Sequence, residues 1–200
     1  MKRRLPVLAV IAIALAAMVA TDLFAQDLHP TRRKSPMGQA RVTLDNGTYV
    51  SVIYSRPYVR GREVFGEGDD ALVPFGKVWR TGANEATELT TTGDIKVGGK
   101  TLPAGTYSVF TVPGTDSWTI HFNSQLGMWG TGVLYVEDGR RGWKPTFDTA
   151  DDVAVAEGKV SKLDEPADPF TISFETVDDG VHMVLSWSDT EVRTPVEPAG

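Results

Sequence analysis

Cysteine is absent from the 200-residue chain. That excludes disulfides, thiolate nucleophiles, zinc–thiolate sites and a lipid-acceptor cysteine after a leader; the fold must stand on its core alone. Histidine is scarce, with three copies. Only His121 and His182 fall where the chain reads as a folded domain, and neither has a partner at metal-ligand spacing. Basic residues are outnumbered, 20 against 26 acidic, which argues against nucleic acid or an anionic membrane as partner. There is no Gly-x-Ser-x-Gly elbow, His-Glu-x-x-His motif, EF-hand loop or phosphate-binding glycine loop, so no metal or cofactor is indicated. Past the N-terminus no segment keeps apolar residues at i, i+3, i+4 and i+7 over three turns, so a helical domain is not expected.

One apolar run stands out, from Leu5 to Ala20, preceded by Lys2, Arg3 and Arg4 and followed by "TDLFAQ" with a small residue at Ala25. This is the layout of a secretory signal peptide over 1–25, and the run is short of the roughly 18 residues that an uncleaved anchor needs. The Arg3-Arg4 pair lacks the rest of a twin-arginine motif, so ordinary secretion is expected, to a periplasmic or extracellular location without stable membrane insertion. Loss of Lys2, Arg3, Arg4 and Asp22 takes 20 basic and 26 acidic residues to 17 and 25, a net charge of −8. Residues 26–38, "QDLHPTRRKSPMG", read as a polar linker, and 39–197 as one domain.

Within that domain the periodicity is two. "ARVTL" and "TYVSVIYS" flank Asp45-Asn46-Gly47, the strongest short hairpin signal because Asn and Gly tolerate positive φ. Asn46-Gly47-Thr48 also fits a glycosylation acceptor, but the turn accounts for it. Strands are predicted at "ATELTTT", "DIKV", "GTYSVFTVP", "SWTIHFN", "DVAVAEGKVSKL", "FTISFETV", "VHMVLSWS" and "EVRTPV", with Gly, Pro and Asp turns between them. The fold class expected is all-β, an antiparallel β-sandwich or jelly-roll-like barrel in a single domain. Two long irregular stretches, 56–77 and 124–150, interrupt the pattern and are where function is expected.

The segments "YSRPYVRGREVFG", "LVPFGKVWRTGANEAT" and "KVGGKTLPAGTYSVFTVPGTDSWTIHFN" are similar to those of the mostly bacterial, exported family catalogued as domain-of-unknown-function family 2911. The resemblance runs from about Ser35 to Val196. It implies a single exported β-rich domain and carries no catalytic residues across.

Four features could carry chemistry. In "WRTGANE", Gly82 allows a sharp turn that brings Arg80 toward Asn84 and Glu85, a set able to recognise an anion; the alternative is an Arg80–Glu85 ion pair shaping a loop around a core Trp79. Arg56, Arg60 and Arg62 sit beside Tyr54, Tyr58 and Phe65, as an anion or sugar site or as a solvated rim paired with Glu63, Glu67, Asp69 and Asp70. Convergence of Arg56 with Arg80 would favour anion recognition. Trp129 and Trp143 lie between glycines, as stacking platforms or plugs, whereas Trp118 and Trp187 alternate with core residues. Finally, His121, or Glu85 with Glu88, could serve general acid–base chemistry, and Asp148, Asp151 and Asp152 could hold calcium or be solvated. Three functions follow: binding of a small anionic or carbohydrate-like (glycan) ligand at Arg56, Arg80, Asn84, Glu85 and Trp129; a non-catalytic envelope or protein-interaction domain; or a hydrolase using Glu85 or His121.

Overall fold

The computed structural model describes His29 and residues 32–200. The chain divides into two compact units, 1–33 and 34–200; only His29, Arg32 and Arg33 of the first are described, and the second is the β domain. The expected leader therefore lies outside the described residues.

The domain is all-β and sandwich-like. Its main sheet runs β1 (Met37–Thr43), β2 (Tyr49–Ser55), β5 (Thr87–Thr91), β8 (Gly105–Val112), β9 (Ser117–Asn123), β12 (Asp152–Val177), β13 (Gly180–Pro198), β6 (Ile95–Val97) and β7 (Lys100–Leu102), in that spatial order. All its pairings are antiparallel. β1 starts at Met37, inside the stretch read as linker, and pairs with β2 across the Asn46-Gly47 turn, where Gly47 takes φ 84°. β12 joins the two halves: Asp152 to Lys159 pairs with β9, and Lys159 to Val177 pairs with β13. Its register shifts at 162–167 and again at 167–171, two irregularities that bend the strand where Pro166 and Pro169 deny the ladder a donor. "DVAVAEGKVSKL" and "FTISFETV" are thus one strand, as are "VHMVLSWS" and "EVRTPV".

Alternation builds the core. Trp118, Ile120 and Phe122 of β9 face inward with Val50 and Val52 of β2, Leu89 of β5 and Leu185 and Trp187 of β13. Tyr54 bolts the two halves together: its hydroxyl donates to Ile172 O at 3.1 Å and accepts from Ile172 N at 2.9 Å. Burial pushes the Tyr54 phenol above its usual 10, outweighing the opposing Ile172 hydrogen bond and Arg56 charge. A phenol held above its unfolded value contributes stability that is complete below about pH 10 and lost as pH rises from there toward the folded value. Tyr54→Phe is expected to cost about 1–3 kcal/mol at neutral pH, because it strands two buried backbone groups. It should also fall less steeply than the parent above about pH 10, which urea titrations between neutral and alkaline pH would read.

The 124–150 stretch is more ordered than expected. It holds the hairpin of β10 (Gly132–Glu137) and β11 (Arg140–Pro145) and a 3-10 turn at Thr149–Asp151. Beneath it a second small core of Ala86, Phe110 and Met128, with Val78 and Phe147, covers the outer face of the sheet. The 56–77 stretch carries a parallel pair of two-residue strands, β3 (Phe65–Gly66) and β4 (Val73–Pro74).

Candidate functional site

The segment that leads from β4 into β5 is tightly constrained. Trp79 exchanges backbone hydrogen bonds with Thr111, and its indole Nε1 donates to Gly82 O at 3.0 Å. Thr81 and Asn84 both have positive φ, 54° and 59°. Asn accepts that conformation readily, but a β-branched threonine there is strained and must be held by its surroundings. Thr81 Oγ1 meets Thr111 Oγ1 at 3.2 Å, and Thr81 O accepts from Thr87 Oγ1 at 2.6 Å. Between them Gly82 lies so close to β2 that a Cβ would sit 2.8 Å from Ser55 O. Only glycine lets the turn approach this far.

This strained turn presents Arg80 to a cleft of about 240 Å³. Arg60, Arg62 and Lys34 also line it, with Tyr58 and with Trp79 and Trp187 on the wall toward the core. No carboxylate stands among its described lining residues. Arg80 is largely buried, its Nε has no hydrogen-bond partner, and burial alone lowers its pKa, with no acidic neighbour acting against it. The expected Arg80–Glu85 ion pair therefore does not account for this arginine. Desolvating a guanidinium without a counter-charge is costly.

The remaining sequence candidates separate into two groups. Arg60 joins the cleft; it donates to Lys34 O at 3.1 Å and lies 5.8 Å from the centroid of the Tyr58 ring. Arg62 donates to Tyr58 O and Val59 O. Arg56, by contrast, does not meet Arg80 there: its Nε donates to Phe170 O at 3.2 Å and its Nη2 to Thr171 Oγ1 at 2.8 Å, clamping β2 to the bend of β12. Asn84 uses its amide on Ser35 O and Ser55 Oγ, so it fixes the Lys34–Pro36 wall. Glu85 forms a backbone bridge with Trp129, away from the lining of the cleft. Trp129 O accepts from the Trp143 indole at 2.7 Å, and Trp143 proves to be a strand residue of β11. Arg80 Nη1 lies 3.4 Å from where a Cβ on Gly130 would be, so the Trp129–Gly132 turn backs the arginine. Lys34 and Trp187 were not legible as site residues: Trp187 alternates as a core residue, and its second role arises only from long-range pairing.

A second polar cluster lies on the outer face of β9. His121 Nδ1 is 2.7 Å from Asp152 Oδ2, and Asn123 Nδ2 donates to Asp152 Oδ1 at 2.9 Å. A carboxylate only accepts, so Nδ1 carries the proton and the ring is oriented by the acid. The ring packs edge-on against Phe147. His121 is not among the residues lining the arginine cleft. Asp148 caps the 3-10 turn through Ala150 N, and Asp151 accepts from Gln125. No group of acidic or histidine side chains able to hold a metal ion is found among the described residues.

No curated protein and no solved structure matches the chain. A family model described as "protein of unknown function (DUF2911)" matches residues 35–196, a span that takes in the strained turn, the described lining of the cleft except Lys34, and both halves of the sheet, and the chain belongs to that family.

Proposed function

We propose that the domain is an exported binding module for a small anionic ligand, held in the cleft beside Arg80. The observation that carries this reading is the largely buried Arg80, its Nε without a hydrogen-bond partner, in a cleft lined by three arginines and one lysine and by no described carboxylate. In an acidic protein such a concentration of one charge is costly to keep apart from counter-ions. Aromatic walls with a few convergent polar groups are the usual make-up of a small-molecule site. The strain at Thr81 supports the same reading, because backbone outliers persist where function requires them. The leader pattern at 1–25 supports export.

Hydrolysis has a narrower basis. The His121–Asp152 pair orients a base, but it stands apart from the cleft, and Glu85, bridged through its backbone to Trp129, is not among the cleft's lining residues.

Arg80→Met tests the binding reading through two opposite effects. Met keeps the length and apolar stem while removing an uncompensated buried charge, so the ligand-free variant is expected to be more stable by about 1 kcal/mol. An anion at 100 times its dissociation constant should stabilise the parent by about 2.7 kcal/mol and leave the variant unmoved. Thermal melts with and without small carboxylates and phosphates read both. A variant that melts far below the parent in the absence of ligand would instead make Arg80 a structural residue.

A further inference from the structure

Resting on the binding reading, we infer the chemical class of the ligand: a small organic acid with an acceptor-only anionic head and an apolar, preferably aromatic, body, not a sugar or sugar acid. The cleft's hydrogen-bond inventory is one-sided. Its charged side chains, Lys34, Arg60, Arg62 and Arg80, can only donate. Of the donors in its walls, Arg80 Nε and the indole Trp187 Nε1 are buried without a partner. Several of the backbone acceptors, meanwhile, are already engaged. Lys34 O takes Arg60 Nη2, Ser35 O takes Asn84 Nδ2, and Pro57 O takes Phe170 N. Tyr58 O takes Arg62 Nη2 and Gly82 O takes Trp79 Nε1. Among the described lining side chains the hydroxyls of Ser35 and Tyr58 are the remaining acceptors.

A carboxylate suits such a surface because every group it offers accepts. A sugar does not: each hydroxyl carries a proton that needs an acceptor, and one left unmatched in a desolvated cleft weakens binding by about tenfold or more. The rest of the wall, Leu72, Val73, Ala83 and the Trp79 and Trp187 rings, offers apolar contact for a hydrocarbon body. The volume sets the scale: about 240 Å³ falls below the roughly 300–1,000 Å³ of drug-sized sites. It suits an acid carrying a single ring.

Isothermal titration of the purified protein with phenylacetate, acetate, glucuronate and glucose 6-phosphate separates the ideas. Phenylacetate and glucuronate each present one carboxylate on a ring-sized body and differ in hydroxyls. Phenylacetate is expected to bind at least about tenfold more tightly than glucuronate, more tightly than acetate, and not measurably to Arg80→Met. If glucuronate or glucose 6-phosphate binds as well as phenylacetate, and Arg80→Met abolishes it, the ligand class assigned here is wrong while the anion site stands. If none of the four binds, or binding survives Arg80→Met, the anion site itself falls. Arg60→Ser, on an exposed loop, should weaken phenylacetate severalfold and keeps the comparison readable should Arg80→Met not fold; unchanged affinity there would count against the cleft as the site.

Discussion

Trp79→Ala is expected to lower the unfolding free energy by about 3–5 kcal/mol, the cost of emptying a large aromatic site in a packed core. The indole meets four other rings: it stacks on Trp187 at 5.8 Å between centroids and stands edge-on to Phe65 at 6.0 Å, Trp118 at 6.1 Å and Phe170 at 5.1 Å. Those rings come from β3, β9, β12 and β13, so a single side chain holds both halves of the sheet and the loop strands together. Its Nε1 also anchors Gly82 O, which sets the turn that presents Arg80. The loss is large against the roughly 5–15 kcal/mol that holds a typical domain folded. Urea unfolding should show a much lower midpoint with an unchanged slope. Trp79→Phe, which keeps a ring but drops the Gly82 bond, should lose clearly less and still weaken anion binding. A Trp79→Ala midpoint within about 1 kcal/mol of the parent would mean that the cluster repacks around the gap.

Much of this core was legible because its signals are local. The Asn46-Gly47 turn fixes the register of β1 on β2, and the alternation around Trp118 and Trp187 places those rings inward. What escaped were consequences of pairing across distance. "RRGWKP" carries glycine, proline and three cations and reads as loop, yet cross-strand pairing with "GVLYVE" makes it β11. The prolines that split "DVAVAEGKVSKL" from "FTISFETV" mark a bend in one strand, because register shifts absorb what a regular ladder would not. The same bend draws Arg56 onto Phe170 O and Thr171, away from Arg80, although the two arginines look equivalent in sequence. Arg80 was visible as a candidate, but its want of a counter-charge was not, since an acid five residues away in the chain can turn elsewhere. Glu85 is bridged through its backbone to Trp129 and is not among the described lining of the arginine cleft.

The meeting of His121 with Asp152 is the clearest such case, and Asp152→Ala is expected to cost about 3 kcal/mol or more, since hydrogen bonds to a charged group are worth about 1.5–3 kcal/mol each. The two residues are 31 apart in sequence, and the irregularity between Asp152 and Ala154 turns the carboxylate so that one oxygen meets His121 and the other Asn123. The His121 and Asp152 side chains are only 11% and 6% exposed, so alanine would leave the imidazole Nδ1–H without its acceptor and remove one of the two that Asn123 Nδ2 uses, the other being Asp148 O. Asp152→Asn should lose less. Its amide oxygen can still accept from Asn123, while its NH2 group faces Nδ1 and forces the ring into the other tautomer, with Nδ1 as acceptor. Nitrogen NMR of the imidazole would report that change directly. Because this cluster holds β9 to the start of β12 and lies apart from the lining of the arginine cleft, folded Asp152→Asn should bind phenylacetate with the parent's affinity. Loss of binding in a variant that remains folded would show instead that the two sites are coupled through β9, and would return His121 to consideration as part of the working site.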